Sequence, residues 1–168
     1  MEYRKNDIVT LEIVDCGTDG EGIGKADGFT VFVKDAVIGD TVTAKIMKAK
    51  KNYGYGRLME ILNASPYRVE PVCPSARQCG GCQLQAVSYE EQKVFKEKKL
   101  RGHLERIGGF TNLPMEPLIG MDEPYHYRNK AQFPVGRNKE GKIVTGFYAG
   151  RTHAIIENRD CALGIPEN

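Results

Sequence analysis

The sequence has little net charge, no long apolar run and no repeated or low-complexity segment, and each absence removes a class of protein. Among 168 residues, 24 Lys and Arg stand against 22 Asp and Glu, a formal net charge of +2. That balance neither demands nor excludes nucleic acid, so local patches must decide. No stretch reaches the about 18 apolar residues of a membrane-spanning helix. The opening run MEYRKNDIVTLEIVD has neither an apolar h-region nor a small-residue cleavage site, so no secretory signal is expected. These absences predict a cytoplasmic protein with no membrane partner. No glycine-rich G-x-G-x-x-G loop follows a strand pattern, which leaves no dinucleotide fingerprint. What is present is ordinary for a soluble chain: 40% hydrophobic and 27% charged residues, at a length that suits one or two small domains.

Residues 7–62 read as a small all-β unit. From Asp7 to Val14, Ile8, Thr10, Glu12 and Val14 fall on one face and Val9, Leu11 and Ile13 on the other. A Gly-rich stretch over 17–24 follows, then the hairpin signal Asp27-Gly28 before Phe29-Thr-Val-Phe-Val33. Ile38-Gly-Asp40 is a further turn, and 41–47 and 55–62 read as strands. Five short strands in about 60 residues suggest a closed barrel of the OB type, with a sandwich or SH3-like barrel as alternatives. Prolines and cysteines over 63–87 break this pattern and set a domain boundary, with one domain over 1–64 and a second over 65–168. In the second, Ser88 and Glu91 form a capping-box signal. Leu100, Leu104 and Ile107 make an apolar helical stripe, and Gly108-Gly109 ends the helix. Segments 126–135, 142–148 and 153–157 then read as antiparallel strands, the first two joined by a turn at 138–141. The fold class is thus mainly β, with an α+β second part.

Five cysteines occur: Cys16, Cys73, Cys79, Cys82 and Cys161. Cys73-x5-Cys79-Gly-Gly-Cys82 lets three thiolates converge, and Gly80 and Gly81 allow positive φ, so the backbone can wrap closely around a bulky inorganic core. Cys161, at the end of a predicted strand, is the candidate fourth metal ligand. Three close cysteines plus a remote one is an arrangement used for a 4Fe–4S cluster. Structural zinc favours paired knuckles, and Cys161 has no nearby partner. A disulfide framework would suit a secreted chain. Cys16 reads as a small buried hydrophobe with no site role.

Residues 45–57, KIMKAKKNYGYGR, crowd Lys45, Lys48, Lys50, Lys51 and Arg57 around Tyr53 and Tyr55 without an acid. Lysines neutralise phosphates and tyrosine rings stack on unpaired bases. The Tyr-Gly-Tyr spacing puts both rings on one strand face. The competing reading is a solvated lysine-rich hairpin. Arg128 and Lys130 would share a face of the 126–135 strand and add phosphate contacts, or simply be an exposed strand face.

Cys73-x5-Cys-Gly-Gly-Cys82 followed by Gln83-Leu-Gln85 resembles the cluster motif of RumA-type (TrmA superfamily) RNA (uracil-5-)-methyltransferases. The barrel, with Gly22-Ile-Gly24-Lys25 and Phe29–Val33, is similar to the TRAM domain that begins many of them. Tyr125-His-Tyr-Arg-Asn-Lys130, Gly146-Phe-Tyr148 and His153 before Cys161 resemble their central domain. The resemblance implies a 4Fe–4S cluster on Cys73, Cys79, Cys82 and Cys161. It also implies methyl transfer from S-adenosylmethionine to C5 of a uridine, after a cysteine thiolate attacks C6. In that family the cofactor site and the nucleophile belong to a C-terminal Rossmann-type domain, and no cysteine here occupies the nucleophile's place. The expectation is therefore an N-terminal portion, monomeric, whose RNA partner is 23S rRNA and which is inactive alone. A free-standing RNA-binding adaptor with a structural iron–sulfur or zinc site is the alternative.

Overall fold

Alternating apolar residues build the first unit. In the computed structural model, which describes residues 3–150 and 152–167, its strands are β1 (Ile8–Cys16), β2 (Gly22–Ala26), β3 (Phe29–Lys34), β4 (Thr41–Ala49) and β5 (Tyr53–Asn63). Val9, Leu11 and Ile13 of β1, Val31 and Val33 of β3, and Val42, Ala44 and Ile46 of β4 point inward and are buried. Full burial of each Val, Leu or Ile contributes about 1.5–3 kcal/mol. The sheet closes in the order β1-β2-β3-β5-β4, with β1 antiparallel to β4 and β3 parallel to β5. This closure is the OB arrangement and excludes a sandwich. Asp27 and Gly28 both take positive φ, 48° and 82°, as the tight β2–β3 hairpin turn requires.

Residues beyond β5 remain tied to the barrel. The fully buried Asp40 carboxylate accepts N–H bonds from Val37 (2.7 Å) and Ser65 (2.9 Å). It also accepts a bond from Arg68 Nε (3.1 Å) and pairs with the Arg68 guanidinium, which in turn donates to the Asp35 carbonyl (2.9 Å). Burial alone would raise the Asp40 pKa. The bonds from Arg68, Ser65 and Val37, with the charge of Arg68, outweigh it and hold the carboxyl below its ordinary value. The first unit accordingly extends to Glu70.

The second unit, from Pro71 on, contains α1 (Tyr89–Arg106) and a three-stranded antiparallel sheet, β6 (Val135–Arg137), β7 (Ile143–Tyr148) and β8 (Ile155–Glu157), in the order β6-β7-β8. Ser88 caps α1, its hydroxyl accepting the Glu91 N–H at 3.4 Å. Asn138 turns the β6–β7 hairpin, its Oδ1 accepting the Glu140 and Lys142 N–H groups, with Gly141 at φ 80°.

Two expectations fail in this unit. The apolar stripe of the helix is not packed away. No α1 residue is buried, and Leu100 and Ile107 are exposed. Polar bonds hold a neighbouring segment instead: the Glu97 carboxylate accepts the Leu118 N–H, and the Tyr89 hydroxyl accepts the Met121 N–H. The strand expected over 126–135 shrinks to β6. His126 adopts φ 51° and interrupts the extended run, and Pro134 lacks the N–H a ladder needs. Residues 126–128 are held irregularly, His126 N–H by the Ala162 carbonyl (3.0 Å) and Arg128 N–H by that of Leu163 (2.8 Å). Arg128 and Lys130 therefore do not share a strand face. Arg128 is half-buried and Lys130 exposed.

Candidate functional site

On the barrel, the parallel β3–β5 pair sets Phe32 beside Tyr55, Thr30 beside Tyr53 and Lys34 beside Arg57. Because the inward positions of β5 are Gly54 and Gly56, every alternate residue of that strand, Tyr53, Tyr55 and Arg57, faces out. The rings of Phe32, Tyr53 and Tyr55 then touch one another. Phe32 and Tyr55 lie 5.6 Å apart at 32°, and Tyr53 stands edge-on to each at 5.8 Å and 83°. The result is a floor of two rings with one upright ring beside it, an arrangement with exposed π-faces for unpaired bases. On the other side β4 places Lys48 opposite Tyr55 and Lys45 opposite Arg57. Lys50 and Lys51 occupy the β4–β5 turn, closed by the Lys50 N–H on the Tyr53 carbonyl at 2.8 Å. Every barrel residue expected to touch RNA thus lies on this one face or at its hairpin tip. Arg128 and Lys130 belong to the second unit.

The sequence reading missed Phe32, with Lys34 and Lys25, which pairs beside Thr30. The signal was there in part. Phe32 alternates outward in an otherwise inward-facing apolar strand, but only the non-local parallel pairing puts it against the tyrosines.

All four expected ligand cysteines lie in the second unit. Cys73 is buried and Cys79, Cys82 and Cys161 are half-buried. Cys79 forms an isolated bridge with Ala149, and the Gly80 N–H donates to the Tyr148 carbonyl at 2.9 Å. Neither Gly80 nor Gly81 uses the positive φ that glycine allows. Gly80 is needed for close approach, since a Cβ there would stand 2.9 Å from the Tyr148 carbonyl oxygen and 3.1 Å from the Gly150 backbone. The Gly81 N–H points at Cys79 Sγ, 3.3 Å away.

The Cys82 thiol pKa is raised, first by burial. A hydrogen bond from Gln85 acts in the opposite direction, and the neighbouring thiols of Cys79, Cys161 and Cys73 each add to the rise. Among the described residues no three Cys, His, Asp or Glu side chains stand at the spacing of a single-ion site. Cys16, at the end of β1 in the first unit, takes no part; its Sγ contacts the Gly17 carbonyl at 3.6 Å.

Residues 4–59 match the TRAM domain family. The chain is 48% identical over 165 residues to a protein of Halalkalibacterium halodurans named as an RNA methyltransferase, covering 98% of this chain and 36% of that protein. A Clostridium tetani protein of the same description is 48% identical over 161 residues, covering 96% and 35%. The chain thus spans about a third of the length of the curated relatives it matches. The crystal structure of a Pyrococcus abyssi tRNA (uracil-54, C5)-methyltransferase with S-adenosyl-L-homocysteine shares the fold at a TM-score of 0.60, with 22% identity, covering 94% of this chain and 33% of that one. No described helix is long and apolar enough to cross a membrane.

Proposed function

We propose that this chain, which matches the TRAM domain over residues 4–59 and is similar along nearly its whole length to proteins named as RNA methyltransferases, is the RNA-recognition and cluster-binding N-terminal portion of a RumA-type (TrmA superfamily), S-adenosylmethionine-dependent RNA (uracil-5-)-methyltransferase acting on 23S rRNA. The observation that carries the RNA part is the three-ring surface of Phe32, Tyr53 and Tyr55, edged by Lys48 and Arg57. Stacking selects unpaired nucleotides, because bases inside a duplex have no free π-face to offer. The cations neutralise the backbone on either side and release counterions. Lys50 and Lys51 extend this reach at the hairpin tip.

Cys73, Cys79, Cys82 and Cys161 would hold the 4Fe–4S cluster. Methylation at uracil C5 moves no electrons, so the group's contribution is structural. It would staple Cys161 to a loop about 80 residues earlier, removing closure entropy from the unfolded chain. S-adenosylmethionine would supply the methyl group, and no residue among the 168 is assigned to it. The chain's own work in this reading is to seize unpaired RNA and present it.

The test is methyl transfer by the full-length protein from labelled S-adenosylmethionine to 23S rRNA and to tRNA, with nucleoside mass spectrometry of the product. We expect 5-methyluridine in 23S rRNA. Label in tRNA only would overturn the choice of RNA, and a product other than 5-methyluridine would overturn the reaction. Iron and sulfide in anaerobically purified protein test the cluster separately; stoichiometric zinc without iron would remove it.

A further inference from the structure

Arg57 stands between two lysines. The parallel β3–β5 pair sets it against Lys34, and the antiparallel β4–β5 pair sets it against Lys45. Strand alternation turns all three out of the barrel, opposite to the buried Val33, Ala44 and Gly56 beside them. They form a row of like charges across three neighbouring strands, about 10 Å from end to end. Like charges set directly opposite one another destabilise a sheet, so folding alone gives no reason for this row. The acids closest in register lie in other rows: Glu60 pairs with Thr43, and Glu12 of β1 with Thr41. Neither Arg57 nor Lys45 makes an ion pair among the described residues. The row also runs beside the rings. Phe32 and Tyr55 precede Lys34 and Arg57 by two residues, about 7 Å along each strand, and Lys48 continues the ring row on β4. Rings and cations therefore lie in two parallel lines that cross the strands.

We propose that Lys34, Arg57 and Lys45 form a phosphate rail, and that unpaired RNA runs along it, across β3, β5 and β4, with its bases turned onto the rings. The inference rests on the RNA reading of the ring surface above and adds the path of the RNA strand and the part played by Lys34. Its physical basis is the repulsion within the row. A polyanion laid along three neighbouring cations relieves that repulsion and releases its own counterions. The bases on one side of that backbone then reach the adjacent row, where the π-faces are. A strand laid the other way, along β5, would meet Tyr53, Tyr55 and Arg57 but leave Lys34 and Lys45 to either side. The same charges that attract RNA thus destabilise the free barrel, a trade of stability for binding.

The test uses the 168-residue chain and a fluorescein-labelled oligouridylate of about twelve nucleotides, within the range of site sizes on such barrels. The variants are Lys34→Gln, Arg57→Gln and Lys45→Gln, each alone. Each should bind the RNA more weakly, with a salt slope flattened by about 0.7. Each should also melt a few degrees higher by calorimetry, because a repulsion is gone. Lys98→Gln, the same change at an exposed position of α1, should alter neither. Weaker binding in Arg57→Gln alone would overturn the path and lay the RNA along β5. Unchanged affinity in all three, with Tyr55→Ala still weakening it, would overturn the rail and leave the ring surface standing. If Tyr55→Ala is also without effect, the RNA reading and the rail fall together. Lower melting midpoints in all three would show that the row supports the barrel, and would overturn the trade.

Discussion

Phe32, Tyr53 and Tyr55 share one surface, but they reached it by different routes, and that decides how each can be tested. Tyr55→Ala or Phe32→Ala removes part of the two-ring floor. Each should cost about 1–3 kcal/mol of affinity for unpaired RNA with a nearly unchanged salt slope. Replacing Lys50 and Lys51 together by Ala should weaken binding to all sequences and flatten the slope, by about 0.7 per lost phosphate contact. Fluorescence anisotropy over a salt series separates the two effects. If Phe32→Ala leaves affinity unchanged while Tyr55→Ala lowers it, Phe32 only supports the tyrosine ring. The second test at this scale is Asp40. Its folded pKa is lowered, so its contribution to stability is present above the ordinary carboxylate value of 3.8 and is lost as pH falls below that through the folded value. Asp40→Asn leaves Arg68 without its counter-charge and should cost about 3–5 kcal/mol in denaturant unfolding near neutral pH. The variant should also lose stability less steeply than wild type between pH 4 and pH 2, a range set by that ordinary value. Equal slopes would show that another carboxylate governs the acid transition.

Among the elements, those with local causes were legible in the sequence. The alternation of Val9, Leu11 and Ile13 settles which face of β1 is buried, Asp27-Gly28 marks the β2–β3 hairpin, and Ser88 marks the start of α1. What escaped depended on partners distant in the chain. The parallel β3–β5 pair has no hairpin signal, so Phe32 went unassigned. The stripe of Leu100, Leu104 and Ile107 has helical spacing, but spacing does not supply a surface to pack on: Leu104 is only half-buried, and Leu100 and Ile107 stay exposed. The 126–135 run has strand composition, but Pro134 and the left-handed His126 oppose the ladder. At the cysteines the spacing pointed to a shared site, which stands as part of the proposed function. At Gly80 the carbonyl of Tyr148 leaves no room for a Cβ. Gly80→Ala should therefore lower the midpoint of thermal unfolding more than Gly81→Ala, whose added Cβ meets Cys79 Sγ at an ordinary 3.4 Å. Overpacking against backbone costs about 1–3 kcal/mol. Equal shifts for the two variants would show that the Tyr148–Gly80 contact gives way freely.

For the molecule as a whole, the proposed function divides the work of recognition between the two units and assigns no residue of either to the methyl donor or as a nucleophile. The 168 residues alone should therefore incorporate no label from S-adenosylmethionine into RNA, and any turnover above background in a filter assay would refute the division. Construction of the barrel also limits where it can be cut. A piece ending at residue 64 loses Ser65 and Arg68, which bond to the Asp40 carboxylate; a piece ending at residue 70 keeps both. The longer piece should show the higher melting temperature by calorimetry. The β3–β5 seam has a consequence for the order of events during synthesis. A hairpin can form as soon as its second strand leaves the ribosome, but a parallel pair must wait for the intervening chain to be threaded round. β3 has only β2 beside it until β5 arrives, and until then Phe32 has no tyrosine to meet. The ring surface has no partial form. A nascent chain halted before residue 53 can fold its first hairpin and still offer nothing for RNA to stack on, so the capacity to bind unpaired bases comes with barrel closure in a single step.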